Sequence, residues 1–249
     1  MSRGTILITG ASSGLGAEMA RQFATLGYDL AVCARRTERL DELRAEILAA
    51  HPDRVVSVKQ LDVTDDAAVF TVFDEFAEEF GTIDRVIINA GLGKGAPLGT
   101  GLYKANRETV MVNFVAALAQ SEAALKIFRA QGRGHLVMIS SISALRGMPK
   151  TLTTYAATKA GVAALAEGVR TEAIPGVDVS VIYPGYIRSE MNDQVKYPPK
   201  FMVDTETGVR AMVAAIEKRR AKAYVPAWPW VPLGYLLRAL PTPIVRKLL

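Results

Sequence analysis

The sequence predicts an α/β fold in which a parallel β-sheet is covered on both faces by helices. Three observations predict it. Short runs rich in β-branched residues alternate with helical stretches along nearly the whole chain, which is the pattern of successive βαβ units. A glycine-rich turn, Gly10-Ala11-Ser12-Ser13-Gly14-Leu15-Gly16, stands between the first strand and the first helix. The 249 residues, 50% hydrophobic and 22% charged, suffice for one large domain with a substantial core and argue against global disorder.

The elements follow in order. Thr5 to Thr9 reads as a strand and Gly14 to Leu26 as a helix. Asp29 to Ala34 is the second strand, followed by a helix from Thr37 to Ala50. Val55 to Gln60 precedes a helix from Asp65 to Phe80. Arg85 to Ile88 precedes a long helix across Ala105 to Ala130. Leu136 to Ile139 comes before the helix carrying Tyr155, and Val177 to Tyr183 before a loop and the helix Thr207 to Lys218. Ala223 to Pro226 closes the series. Right-handed crossovers place helices over both sheet faces, and ligands then lie beyond the carboxyl ends of the strands.

Composition narrows the function classes. The single cysteine, Cys33, excludes an intramolecular disulfide framework, suits a reducing cytoplasm, and belongs by pattern to the core. The chain starts without the apolar region of a signal peptide, and no run of about 18 apolar residues predicts a spanning helix. The net charge of +5 is concentrated at one end. From Lys218 onward there are seven basic residues and no acidic ones, leaving the first 217 residues at −2. That body is no match for a phosphate polymer, and neither zinc-ligand spacing nor an RNA-binding aromatic signature is present, so nucleic acid is not an expected partner.

The glycines after the first strand let the backbone turn tightly and approach a pyrophosphate, whose charge is met by amides at the helix N-terminus. Their spacing is G-x-x-x-G-x-G, and the turn lacks the Gly-Lys-Ser/Thr ending of a P-loop. A carboxylate for a ribose 2′-hydroxyl belongs at the carboxyl end of the second strand. Asp29 lies at the amino end instead, and the carboxyl end reads Cys33-Ala34-Arg35-Arg36-Thr37. Guanidinium pairs well with phosphate, so Arg35 and Arg36 favour NADP(H) over NAD(H).

Further candidates stand at the same sheet edge. Asp62 in Leu61-Asp62-Val63 can meet an adenine amino group, and Asn89-Ala90-Gly91 makes a small-residue turn after the fourth strand. Asn113 is a mid-helix asparagine, unfavourable enough to need a partner. Ser140-Ser141-Ile142-Ser143 follows the fifth strand, where a serine can donate to a carbonyl oxygen. His135 and His51 read as structural, since neither has a carboxylate pattern of a hydrolytic triad. Tyr155 and Lys159, at i and i+4, share one helix face. A phenol titrates near pH ~10 alone, and a neighbouring cation draws that value toward the working range.

Taken together, Thr9-Gly10-x-x-x-Gly14-x-Gly16, Asn89-Ala90-Gly91, Asn113, Ser141, Tyr155-x-x-x-Lys159 and Pro184-Gly185 resemble the short-chain dehydrogenase/reductase family, compact single-domain branch, from about residue 5 to residue 191. The resemblance implies a Rossmann-type doubly wound parallel sheet of about seven strands, nicotinamide-dependent hydride transfer, and a homodimer or homotetramer. It implies a catalytic tetrad of Asn113, Ser141, Tyr155 and Lys159. Tyr155 acts as general acid/base on a carbonyl or alcohol, Lys159 lowers its pKa and binds nicotinamide-ribose hydroxyls, Ser141 orients the carbonyl, and Asn113 holds a water in a relay to Lys159. Gly10, Ser12, Ser13, Gly14, Leu15 and Gly16 line the phosphates or adenosine, and Arg35 and Arg36 take the 2′-phosphate. Asp62 and Val63 take the adenine, with Asn89, Ala90 and Gly91 on the ribose side. Ile187 and Ser189, after Pro184-Gly185, meet the nicotinamide carboxamide. Two departures stand out: the Ser141 to Tyr155 interval is one residue longer than usual, which keeps Ser143 as a second candidate, and Ser189 replaces the commoner Thr.

The resemblance places the catalytic domain at residues 1 to 226, with a substrate lid at about 186 to 204. That lid contains Met191, Tyr197, Pro198, Pro199, Phe201 and Met202, a mixture suited to an apolar substrate. Residues 227 to 249 form an apolar and basic extension in which Leu233, Leu236, Leu237 and Leu240 make one helical stripe beside a helix-initiating proline. That stripe either packs on the body or a neighbouring subunit, or lies at a membrane surface as a peripheral contact of a cytoplasmic protein. The competing reading of the whole is a catalytically silent dinucleotide-sensing regulator with the same fold.

Overall fold

The computed structural model describes residues 2–190, 201–241 and 244, with Leu237 described in its backbone alone. The lid positions Met191, Tyr197, Pro198 and Pro199 lie outside the described residues. Seven strands, β1 (Thr5–Thr9), β2 (Asp29–Ala34), β3 (Val56–Gln60), β4 (Arg85–Ile88), β5 (Gly134–Ile139), β6 (Val177–Pro184) and β7 (Lys222–Val225), form one sheet. Their order is β3-β2-β1-β4-β5-β6-β7 and every pair is parallel. The order reverses between β1 and β4, opening a crevice beyond their carboxyl ends. This is the doubly wound Rossmann-type sheet in a single domain.

The flanking helices are α1 (Gly14–Thr25), α2 (Thr37–Ala50), α3 (Asp66–Phe80), α4 (Tyr103–Val110), α5 (Ala116–Gln131), α6 (Thr153–Thr171), α7 (Thr205–Glu217) and α8 (Ala227–Ala239). Two apolar clusters, one on each face of the sheet, constitute the core. Leu7, Phe73, Phe76, Phe128 and Met138 belong to one, and Ile6, Phe23, Leu40, Ile87 and Met212 to the other. Alternate residues of β1 therefore serve opposite faces, as the period of two requires. Asp65 and Asp204 start α3 and α7 by accepting from Ala68 N at 3.0 Å and Thr207 N at 2.8 Å. Gly132 ends α5 at φ 68°, a left-handed stop that glycine adopts without strain.

Three local expectations differ from the structure. The helix expected across residues 105–130 is interrupted by a π turn, Met111–Val115, which carries Asn113. The combined run Tyr103–Gln131 is long and apolar enough to cross a membrane by length and composition, with mean hydropathy 1.3. Here it is a core helix, because Ala116, Ala117, Ala123, Ala124, Ile127 and Phe128 are buried in the cluster with β4 and β5. Second, β5 begins at Gly134, so His135 lies within the strand. His135 Nδ1 accepts from Arg85 Nε at 3.0 Å, which leaves Nε2–H to donate to Ser180 Oγ at 2.8 Å. Burial, then the charges of Arg85 and Arg219, push the imidazole down to about 3, so it stays neutral.

Third, α8 is kinked at its start, and its contact with the core includes Leu233 of the leucine stripe beside Trp230. Trp228 is non-helical (φ −97°, ψ 132°), and the kink turns Trp230 and Leu233 onto the body. Gly234 packs against Leu145, and Arg146 Nη1 donates to the carbonyls of Arg238 and Leu240. Leu236 is half-exposed and Trp228 is 76% exposed. The extension thus joins the core through Trp230 and Leu233.

Candidate active site

The site begins at the turn after β1. Gly10 has φ +66°, and a Cβ there would stand 2.8 Å from Ala90 Cα; a Cβ on Gly16 would stand 2.4 Å from the Gly10 carbonyl and 2.7 Å from Asn89 Nδ2. Only bare backbone lets the β1 and β4 loops approach this closely. The two loops are also clipped by hydrogen bonds. Thr9 Oγ1 accepts from Asn89 N at 3.1 Å and Ala90 N at 3.2 Å, and Asn89 Nδ2 donates to the Thr9 carbonyl at 3.0 Å and to the Gly10 carbonyl at 3.3 Å. The Asn89 amide is therefore occupied in holding the turn.

Beyond β2, Arg36 folds onto the glycine turn. Its Nη2 donates to Ser13 Oγ at 2.7 Å and Ser12 Oγ at 3.2 Å. Arg35 is exposed beside Asp62. Burial would raise the Asp62 carboxyl, but bonds from the Thr64 amide and hydroxyl and the Arg35 charge hold it below its ordinary value. The Val63 side chain lies in the core, leaving its backbone toward the crevice. Leu15 packs partly against the second apolar cluster, and Gly14, at φ +54°, lies beneath Ser189. Ile187 is buried against Gly208 and forms a bridge with Val203. The donor set suits a dinucleotide: bare glycine backbone at a helix N-terminus, then a guanidinium and two hydroxyls at one end.

At the other end stand Tyr155 and Lys159 on α6. The π turn swings Asn113, 1% exposed, into the crevice. Its Oδ1 accepts from Leu92 N at 2.6 Å, and its Nδ2 donates to the Leu92 carbonyl at 3.0 Å and to Thr158 Oγ1 at 3.3 Å. A Cβ on Gly91 would lie 3.4 Å from Lys159 Nζ and 3.5 Å from Asn113 Oδ1, so these groups surround one small space. Lys159 is buried, donates to the Ile139 carbonyl at 2.9 Å, and lies 6.0 Å from the Tyr155 ring centroid.

Burial pushes the Tyr155 phenol up from its ordinary value, a hydrogen bond with Ser141 draws it down, and Tyr186 raises it. Desolvation takes the Lys159 ammonium down to about 8. Of the two candidate serines, Ser141 is the one whose side chain lowers the Tyr155 pKa, while Ser143 offers its backbone N–H to Ser141 Oγ at 3.2 Å. Ser140 is turned away, donating to the Lys159 carbonyl at 2.7 Å.

Two participants, Thr158 and Tyr186, are not distinguished by sequence pattern. Thr158 steadies Asn113, and its position three residues after Tyr155 is the only available clue. Gly185 lies flush under the Trp230 indole, where a Cβ would be 2.0 Å from Nε1. Tyr186 and Phe201 meet the same indole edge-on, with centroids at 5.4 and 6.4 Å. An aromatic wall thus follows Pro184-Gly185, assembled from β6, its following loop and α8.

Comparison with known proteins agrees with this architecture. An uncharacterized oxidoreductase of Mycobacterium tuberculosis (strain H37Rv) is 52% identical over 248 residues, covering 99% of this chain and 98% of its relative. An alcohol dehydrogenase from the archaeon Thermococcus sibiricus, solved with 5-hydroxy-NADP, is 26% identical with TM-score 0.79 over 89% of this chain and 94% of that one. A short chain dehydrogenase/reductase from Burkholderia phymatum, solved with NAD, shares the fold at 21% identity and TM-score 0.84, over 94% and 92% of the two chains. The family model for short chain dehydrogenases matches residues 4–199. With that match across most of its length, the chain belongs to the short-chain dehydrogenase family of oxidoreductases.

Proposed function

We propose that this chain transfers hydride between NADP(H) and an apolar ketone or secondary alcohol, with Tyr155 as general acid and base. The observation that carries the reading is a buried Lys159 whose Nζ lies 6.0 Å from the Tyr155 ring centroid on the same helix, beside the bare Gly91 and Asn113. A nicotinamide dinucleotide bound along that crevice supplies or accepts the hydride. Ser141 orients and polarises the carbonyl. Tyr155 gives its proton to the carbonyl oxygen in reduction and takes the hydroxyl proton in oxidation. An ammonium has three donors and the Ile139 carbonyl takes one, so Lys159 can also serve ribose hydroxyls. The bare Gly91 leaves room between Lys159 and Asn113 for a relay water, while Asn113 positions the Leu92 loop.

The preference for NADP(H) rests on Arg35 and Arg36 at the end of β2 and on the Ser12 and Ser13 hydroxyls that already accept from Arg36. The apolar substrate class rests on the Tyr186, Phe201 and Trp230 wall. An absorbance assay of NADPH consumption over aliphatic ketones, steroids and diketones tests both. Turnover with NADPH exceeding that with NADH is the expected outcome; silence across the panel with tight NADPH binding favours the dinucleotide-sensing alternative.

The outer side of α8 supports a peripheral membrane contact as a separate proposal. Trp228, Tyr235 and Leu236 are exposed there. The full chain should pellet with anionic liposomes and a chain lacking residues 227 to 249 should not; equal pelleting refutes it.

A further inference from the structure

Arg36 is held from two sides. Besides Ser12 and Ser13, its Nη1 and Nη2 each donate to Glu190 Oε2 at 3.3 Å, and Arg39 pairs with Glu190 Oε1. Glu190 comes from the opposite half of the fold. It follows Ser189, whose Cβ is 3.4 Å from where a Cβ on Gly14 would stand. The segment after β6 therefore reaches over the glycine turn and ends in a carboxylate seated on two guanidinium groups beyond β2. Arg39 foremost holds that carboxyl below its ordinary value against the opposing effect of burial, with Ser13 and Arg36 adding to the lowering.

We propose that Glu190 is a cofactor-specificity residue: its carboxylate occupies the Arg36 and Arg39 donors that a ribose 2′-phosphate would engage, so a phosphorylated dinucleotide must displace it and an unphosphorylated one need not. The inference rests on the NADP(H) reading above. Two anions sharing one set of donors repel each other. A phosphate, with its higher charge and three acceptor oxygens, matches the guanidinium fork better than one carboxylate and prevails. Glu190 then sets how much 2′-phosphate affinity is lost to that competition. The consequence reaches beyond the nucleotide, because displacing Glu190 also frees the segment that follows Pro184-Gly185 from its tie to the start of α2.

Calorimetric titration of the full chain with NADPH and with NADH tests this without turnover. Arg36, Arg39 and Glu190 are each about half-exposed, so the expected change is moderate and falls with salt. Glu190→Gln should tighten NADPH about two- to tenfold and leave NADH within about twofold. Glu190→Asp, which keeps the charge, should tighten NADPH less than Glu190→Gln does. An equal shift for both cofactors, no shift, or weaker NADPH binding in Glu190→Gln overturns the proposal, the last by making Glu190 a clasp over bound cofactor. Wild-type chain that binds NADH as tightly as NADPH refutes the NADP(H) reading instead. A selective gain for NADPH in Glu190→Gln would still uphold Glu190 as the discriminating group.

Discussion

A Tyr155→Phe chain keeps its cofactor and loses about 10²- to 10⁴-fold of its turnover, the range expected when a positioned general acid is removed. Phenylalanine preserves the ring carried by α6 and removes only the hydroxyl. Binding read by nucleotide fluorescence should stay within a few-fold of the parent, while kcat read by absorbance collapses. The direction of titration adds a second signature. Because burial raises the Tyr155 pKa, the phenol is protonated at neutral pH and ready to donate. Reduction should therefore proceed at neutral pH and fall at alkaline pH, and alcohol oxidation, which needs the phenolate, should rise as pH increases. Unchanged turnover in Tyr155→Phe would remove Tyr155 from the chemistry altogether.

Glu217→Ala destabilises the fold by about 3 kcal/mol, since truncating one partner of a buried pair leaves the other charge uncompensated. Glu217 accepts from Arg85 Nη1 at 2.7 Å and from the Tyr28 hydroxyl at 3.0 and 3.1 Å. The Arg85 side chain is 5% exposed and also donates to neutral His135. Glu217 keeps 21% of its side-chain surface, which places the cost at the low end of the usual range. For a domain of this size the melting temperature should fall by roughly 6–12 °C. Glu217→Gln keeps an acceptor and should lose less. A shift under about 2 °C in Glu217→Ala would mean that His135 and water suffice for Arg85. Arg85 opens the strand whose far end carries Asn89 and Gly91, so this cluster supports the active-site edge from the opposite end of the sheet.

The two halves of the site differed in how far they could be read in advance. Gly10, Gly14 and Gly16 were legible because a turn between a strand and a helix needs glycine at fixed offsets. Tyr155 and Lys159 were legible because four residues on a helix always return to one face. Asn113 was visible as an anomaly, but not the π turn that aims it, since that turn follows from its bonds to Leu92 and Thr158. The Arg36 to Glu190 contact spans 154 residues, and nothing in either neighbourhood announces it. Likewise Leu233, Leu236, Leu237 and Leu240 have helical spacing, yet the kink at Trp228 and the bare surface of Gly185 put Trp230 in the core.

By itself the sequence determined the strand and helix alternation, the parallel sheet, the glycine-rich turn and the Tyr155–Lys159 face. Each depends on a period or spacing within about 20 residues, and local backbone geometry makes such patterns repeat reliably. Only the tertiary structure decided that Ser141 rather than Ser143 draws on the Tyr155 phenol, that burial raises the phenol's pKa, and that Glu190 answers Arg36 across the glycine turn. Those outcomes depend on which loops the strand order brings to one edge and how much water they exclude, quantities set by the packed sheet as a whole.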